Sequence, residues 1–146
     1  MEEKRYTLSE TERAEVVERL ERALAQYPEI VFAYLHGSFL LEFPFHDVDV
    51  ALYVKDSLLQ TVHPMDYIID QSVRLSDAVG LPVDVHLLNG APLGFQFHAT
   101  AGQVLLSRDE EQRFQFVERV RREYWDFEPM LRQYFREVAQ GSNENP

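Results

Sequence analysis

The stretch HGSFLLEFPFHDVDVALYV, residues 36–54, decides how the rest of the chain reads. Its second half alternates: Val48, Val50, Leu52 and Val54 point one way and Asp47, Asp49, Ala51 and Tyr53 the other, which is the period of a strand with acid at its entrance. The run just before it, IVFAYL at residues 30–35, is short, branched and aromatic, and it lies between Pro28 and Gly37. That pattern predicts a buried strand ending in a turn at His36-Gly37-Ser38.

Upstream, Ser9 followed by Glu12 has the spacing of a capping box, and Val17, Leu20, Leu24 and Tyr27 then recur at helical intervals until Pro28. A helix over residues 9–26 follows. Downstream, Pro64 opens a second helical pattern with Met65, Ile68, Ile69, Ser72, Leu75 and Val79 on one face, and Gly80 stands where it should stop. In PVDVHLLN, Val83, Val85 and Leu87 share one face of a further strand while Asp84 and His86 share the other. Residues 92–101 read as a short helix, and VLLS around Val104 as an edge strand. From Asp109 onward Val117, Val120, Tyr124, Phe127, Leu131, Tyr134 and Val138 recur every three or four residues, as one long helix or as a pair broken near Pro129. This helix carries more aromatics than one face holds, so packing within the chain and contact with a partner are both open to them. The expected fold class is α/β (α+β): a short mixed sheet flanked by helices and closed by a long C-terminal helix. Residues 1–140 are expected to form one domain and residues 141–146 a disordered tail.

Composition narrows the chemistry. The 146 residues include no cysteine, which excludes disulfide scaffolds, thiol nucleophiles and Cys-ligated metals. Fourteen basic against 25 acidic residues leave a net charge of −11, which opposes binding to a phosphate backbone; no direct nucleic-acid binding is expected. The same acidity suits a basic protein partner, or a phosphorylated substrate that arrives with divalent metal. No apolar run is long enough for a membrane span, and MEEKRYTLSE lacks the features of a signal peptide, so the expected location is cytoplasmic.

Three features then combine: Gly37-Ser38 after the first strand, Asp47 and Asp49 on the second, and Asp84 on the next. Residues two apart on a strand project to one face, where carboxylates offer the hard oxygen ligands that Mg2+ prefers. The nearest basic residues in the chain, Lys55 and Arg74, lie outside the motif. Metal is therefore the economical partner for the acids. Two Mg2+ ions held by three carboxylates would bind triphosphate oxygens, leaving the Gly37 and Ser38 amides and the Ser38 hydroxyl for a terminal phosphate. His86 shares the face of Asp84, where it either tunes that acid or touches a metal, or else makes a structural hydrogen bond. His36 and His46 flank the loop, placed for a phosphate or for a solvated or capping role.

HGSFLLEFPFHDVDVALYV resembles the Gly-Ser then Asp-x-Asp signature of the DNA polymerase beta-like nucleotidyltransferase superfamily. VDVHLLNGAP and GQVLLSRDEEQRFQFVERVRREYWDFEPMLRQYF are similar to the C-terminal half of its minimal members, the MNT antitoxins encoded beside HEPN-domain toxins. The resemblance implies a nucleotidyltransferase-like sheet, Asp47 and Asp49 as metal ligands, Asp84 as the third carboxylate that helps activate an attacking hydroxyl, and Gly37 with Ser38 on ATP phosphates. It further implies a reaction in which adenylate passes from ATP to a tyrosine of the HEPN toxin, silencing that ribonuclease. The stretch after Ser38 departs from the family pattern: residues 39–46 number only eight, include Glu42 and contain neither Arg nor Lys. A non-catalytic antitoxin acting by protein binding, and a nucleotidyltransferase for a small hydroxylated molecule, are the alternatives.

Overall fold

The computed structural model describes residues 4–41 and 44–144, with side chains through residue 141. In chain order the elements are α1 (Glu10–Leu24), β1 (Ile30–His36), a 3-10 turn (Ser38–Leu40), β2 (Val48–Val54), α2 (Asp56–Leu59), α3 (Pro64–Val79), β3 (Val83–Leu87), α4 (Leu93–Thr100), β4 (Gln103–Ser107) and α5 (Glu110–Glu144). The four strands form one mixed sheet in the order β3-β2-β1-β4, with β1 antiparallel to both β2 and β4 and β2 parallel to β3. Sheet, flanking helices and long terminal helix are as the sequence predicts.

Local chemistry sets the boundaries. Ser9 caps α1 by accepting from the Glu12 amide at 3.1 Å, and the Glu12 carboxylate accepts from the Ser9 amide at 3.0 Å. Pro64 occupies the first turn of α3, and Gly80 ends that helix at φ 74°. The parallel pairing of β2 with β3 needs a crossover, which α2 and α3 supply.

Two apolar clusters sandwich the sheet. On one face Val16, Leu20 and Leu24 of α1 and Tyr67, Leu75 and Val79 of α3 meet Val48, Val50, Leu52 and Val54. On the other, Phe116, Val117 and Val120 of α5 and Ala99 of α4 meet Phe32, Tyr34 and Ala51. The alternation read in residues 48–54 is thus the partition between the two clusters.

The structure differs from two expectations. Helix α3 buries the ridge Tyr67, Gln71, Leu75 and Val79, leaving Met65 and Ile69 exposed, because strict i, i+4 spacing aims that ridge at the sheet. This rotation brings Ser72 and Ser76 over β3, where their hydroxyls accept from the Val85 and Val83 amides at 3.2 and 2.9 Å and cover an edge strand. Of the two readings of α5, the single long helix is the one found: it is continuous through Pro129. It also runs to Glu144, so it takes in the first four residues of the expected tail; residues 145–146 lie outside the described residues. No helix among the described residues is long and apolar enough to cross a membrane.

Candidate active site

The antiparallel register sets His36 of β1 opposite Asp49 of β2, and the parallel register sets Asp49 opposite Asp84 of β3. His36, Asp49 and Asp84 therefore stand in one row across the sheet, with His86 two positions along from Asp84 and paired with Ala51. Ala51 belongs to the cluster under α4 and α5, so the row looks out on that face. Phe95 of α4 borders it, with its ring centroid 5.5 Å from that of His36 and 5.3 Å from that of His86.

One ligand atom from each of Asp49, Asp84 and His86 lies within 4.8 Å of the others. The His86 Nε2 is 2.9 Å from the Asp84 Oδ2, and both side chains are nearly half exposed, so a solute can reach them. Asp47 precedes β2 and lies close enough to Asp49 to share a hydrogen bond with it. Desolvation, followed by the charges of Asp47 and Asp84, pushes the Asp49 carboxyl up to about 6. Such a cluster is short of positive charge, and its donor set, two to three hard oxygens and an imidazole, fits a divalent cation. Burial, then the neighbouring His86, holds the His36 imidazole below its usual value, and its Nε2 is buried without a hydrogen-bond partner.

Gly37 shapes the floor of the site. Its φ of 80° with ψ −161° is backbone that side chains rarely adopt, and a β-carbon there would meet the Asp49 Oδ2 at 2.1 Å. Ser38 follows at the start of the 3-10 turn and is half-buried. All five residues singled out from the sequence, Gly37, Ser38, Asp47, Asp49 and Asp84, thus lie on or beside the strand ends that carry the row.

In the stretch after Ser38, Phe39 and Phe45 are apolar because they pack, while Leu40 and Leu41 are exposed. Phe39 and Phe45 are buried edge-to-face at 4.9 Å, and Tyr6 exchanges two backbone hydrogen bonds with Phe45. Glu42 lies outside the described residues. Sequence reasoning missed Arg13 of α1, whose guanidinium donates to the Phe39 carbonyl and lies 5.1 and 5.4 Å from the ring centres of Phe39 and Phe45. No spacing signal could have found it, since 26 residues separate donor and acceptor. Of the residues named as nearest in sequence, Arg74 pairs instead with Asp70 at 2.9 Å, and Lys55 follows the far end of β2. His63 caps α3 by accepting from the Met65 amide at 3.1 Å, and His98 packs against Phe97 and Tyr124. His46 contacts the Lys4 carbonyl at 3.2 Å.

The polymerase beta nucleotidyltransferase family model matches residues 18–111, which spans every strand and the whole row. No curated protein sequence matches the chain. Solved structures do resemble it. One, described as a tri-AMPylated Shewanella oneidensis HEPN toxin in complex with an MNT antitoxin, superposes with a TM-score of 0.62 at 16% identity over 90% of this chain and 99% of the other. A toxin-antitoxin with AMP-PNP gives 0.67 at 16% identity over 84% and 98%. The toxin-antitoxin MntA-HepT gives 0.61 at 16% identity over 90% and 99%. Likeness at this level of identity speaks to the fold.

Proposed function

Because the chain belongs to the polymerase beta nucleotidyltransferase family, we propose that it is an antitoxin that transfers AMP from ATP to a tyrosine of a HEPN-domain toxin. The observation that carries this reading is the row of Asp49 and Asp84 beside Gly37, with Asp47 at its entrance. The resemblance of the fold to MNT–HEPN complexes supports the choice of partner.

In this reading Asp47, Asp49 and Asp84 would hold divalent metal, which when bound neutralises the triphosphate and the departing pyrophosphate. The Gly37 and Ser38 amides and the Ser38 hydroxyl hold phosphate oxygens. Asp84 lies at the half-exposed rim of the row, where an incoming phenol can reach it, and takes the proton as the phenolic oxygen bonds to the α-phosphorus and pyrophosphate leaves. Residues 39–46 include no Arg, Lys or hydroxyl residue, so phosphate contact on this side falls to the Gly37 and Ser38 donors that precede them.

The test is transfer of label from the α-phosphate of ATP to the co-expressed toxin. Wild-type protein should label the toxin and the Asp47→Asn, Asp49→Asn double variant should not, with circular dichroism of the two unchanged. Labelling by the double variant at the wild-type rate would overturn the mechanism.

A second reading, neutralisation by binding alone, is favoured by the far half of α5. Trp125, Met130, Tyr134 and Phe135 are exposed there, beyond the part of the helix that packs on the sheet. Toxin kept silent by the double variant, with no added adenylate by intact-mass spectrometry, would favour that reading over transfer.

A further inference from the structure

His86 is a feature that three carboxylates do not require. We propose that its Nε2 is a direct ligand of the divalent ion held by Asp49 and Asp84, making this a mixed nitrogen–oxygen centre that prefers Mn2+ to Mg2+. The inference rests on the metal-dependent reading above and concerns which ion that centre takes.

The geometry points to a ligand. Two donors at adjacent corners of an octahedron, each about 2.1 Å from the metal, stand about 3.0 Å apart. The His86 Nε2 and Asp84 Oδ2 stand 2.9 Å apart, so a cation can take the place of the proton that joins them. Asp49 offers the third donor, its ligand atom lying within 4.8 Å of both. The imidazole comes from β3 in the same projection as Asp84, two residues away, so the strand itself aims both donors at one point. Phe95 packs 5.3 Å from the ring and limits its rotation.

The consequence follows from ligand chemistry. Mg2+ favours oxygen and keeps its waters, whereas Mn2+, the first member of the first-row affinity order though itself mainly an oxygen ion, takes a nitrogen donor at less cost. Exchanging one oxygen for nitrogen therefore raises affinity for Mn2+ relative to Mg2+.

The experiment uses the full chain, without nucleotide or partner, titrated with Mn2+ and with Mg2+ by calorimetry and examined as the Mn2+ form by electron spin-echo modulation. Wild-type protein should show modulation from a directly bound nitrogen-14 nucleus. His86→Gln should lose it and bind Mn2+ about tenfold or more weakly, with Mg2+ affinity changed by less than about threefold. His36→Gln should keep the modulation, which excludes the neighbouring imidazole as its source. Tight Mn2+ binding without nitrogen modulation, or modulation that survives in His86→Gln, would overturn this inference while leaving the metal-dependent reading intact. Failure of the wild-type chain to bind Mn2+ either alone or with ATP would overturn both.

Discussion

Gly37 and Asp49 share one space: a β-carbon on residue 37 would stand 2.1 Å from the Asp49 Oδ2. The glycine is there for the acid as much as for its own turn. Gly37→Ala should therefore act twice, straining the backbone by about 1 to 3 kcal/mol and turning the Asp49 carboxylate out of the row. Adenylate transfer is expected to fall about 100-fold, the usual result of displacing a reacting group by an ångström. Thermal denaturation and transfer kinetics on the one variant check both effects, and near-normal transfer would show that Asp49 does not need its observed position.

Asp49 makes the metal-free fold sensitive to pH. Its carboxyl titrates at about 6 in the folded chain against 3.8 for the ordinary group, so between those values the folded state binds more protons than the unfolded one. The stability it contributes is present below the unfolded value and lost as pH rises through the folded one. Asp49→Asn cannot ionise, so in EDTA its melting temperature should exceed that of wild type by a margin that grows from about pH 4 to about pH 7 and then levels. Mn2+ should reverse the order. A margin independent of pH would mean that Asp49 is not held in a desolvated, acid-crowded position.

Asp84→Asn should separate binding from chemistry. If Asp84 serves the attacking hydroxyl, as proposed, rather than the triphosphate alone, kcat should drop by about 100-fold or more while the KM for ATP rises by less than about tenfold. A KM effect larger than the kcat effect would move Asp84 to a purely nucleotide-binding role.

Asn89 continues the β2–β3 pairing past the end of β3: its side-chain oxygen accepts from the Val54 amide at 3.0 Å and its amide donates to the Val54 carbonyl at 2.8 Å. Asn89→Ala removes both bonds from a half-buried position and should cost about 1 to 3 kcal/mol in urea denaturation. Loss of less than about 0.5 kcal/mol would show that water replaces the amide without penalty.

Helix α5 should divide after Tyr124, which stacks on Phe97 of α4, into a part that stabilises the fold and a part that does not. Val120 is fully buried, and Val120→Ala is expected to cost about 1 to 3 kcal/mol. Trp125 and Tyr134 are 61% and 59% exposed, and their alanine variants should stay within about 0.5 kcal/mol of wild type. Denaturation of the isolated chain decides this, and a large loss from Trp125→Ala would mean that the far half packs on the domain after all.

What the sequence by itself determined is what depends on neighbours in the chain. The alternation in residues 48–54 set the faces of β2, the pair Ser9 and Glu12 set the start of α1, and two-residue spacing put Asp47 with Asp49 and Asp84 with His86 on common faces. Helical periodicity was less decisive, because Met65 and Ile69 fit an apolar stripe better than Tyr67 and Gln71, the pair that is buried. Only docking on the sheet chose between them. The tertiary structure alone decided strand order and register, and hence that Asp49 stands between His36 and Asp84, that Gly37 gives way to a carboxylate, and that Arg13 lies under the loop at Phe39. These contacts join segments many residues apart, and their energies arise from burial and pairing that no local window of sequence contains.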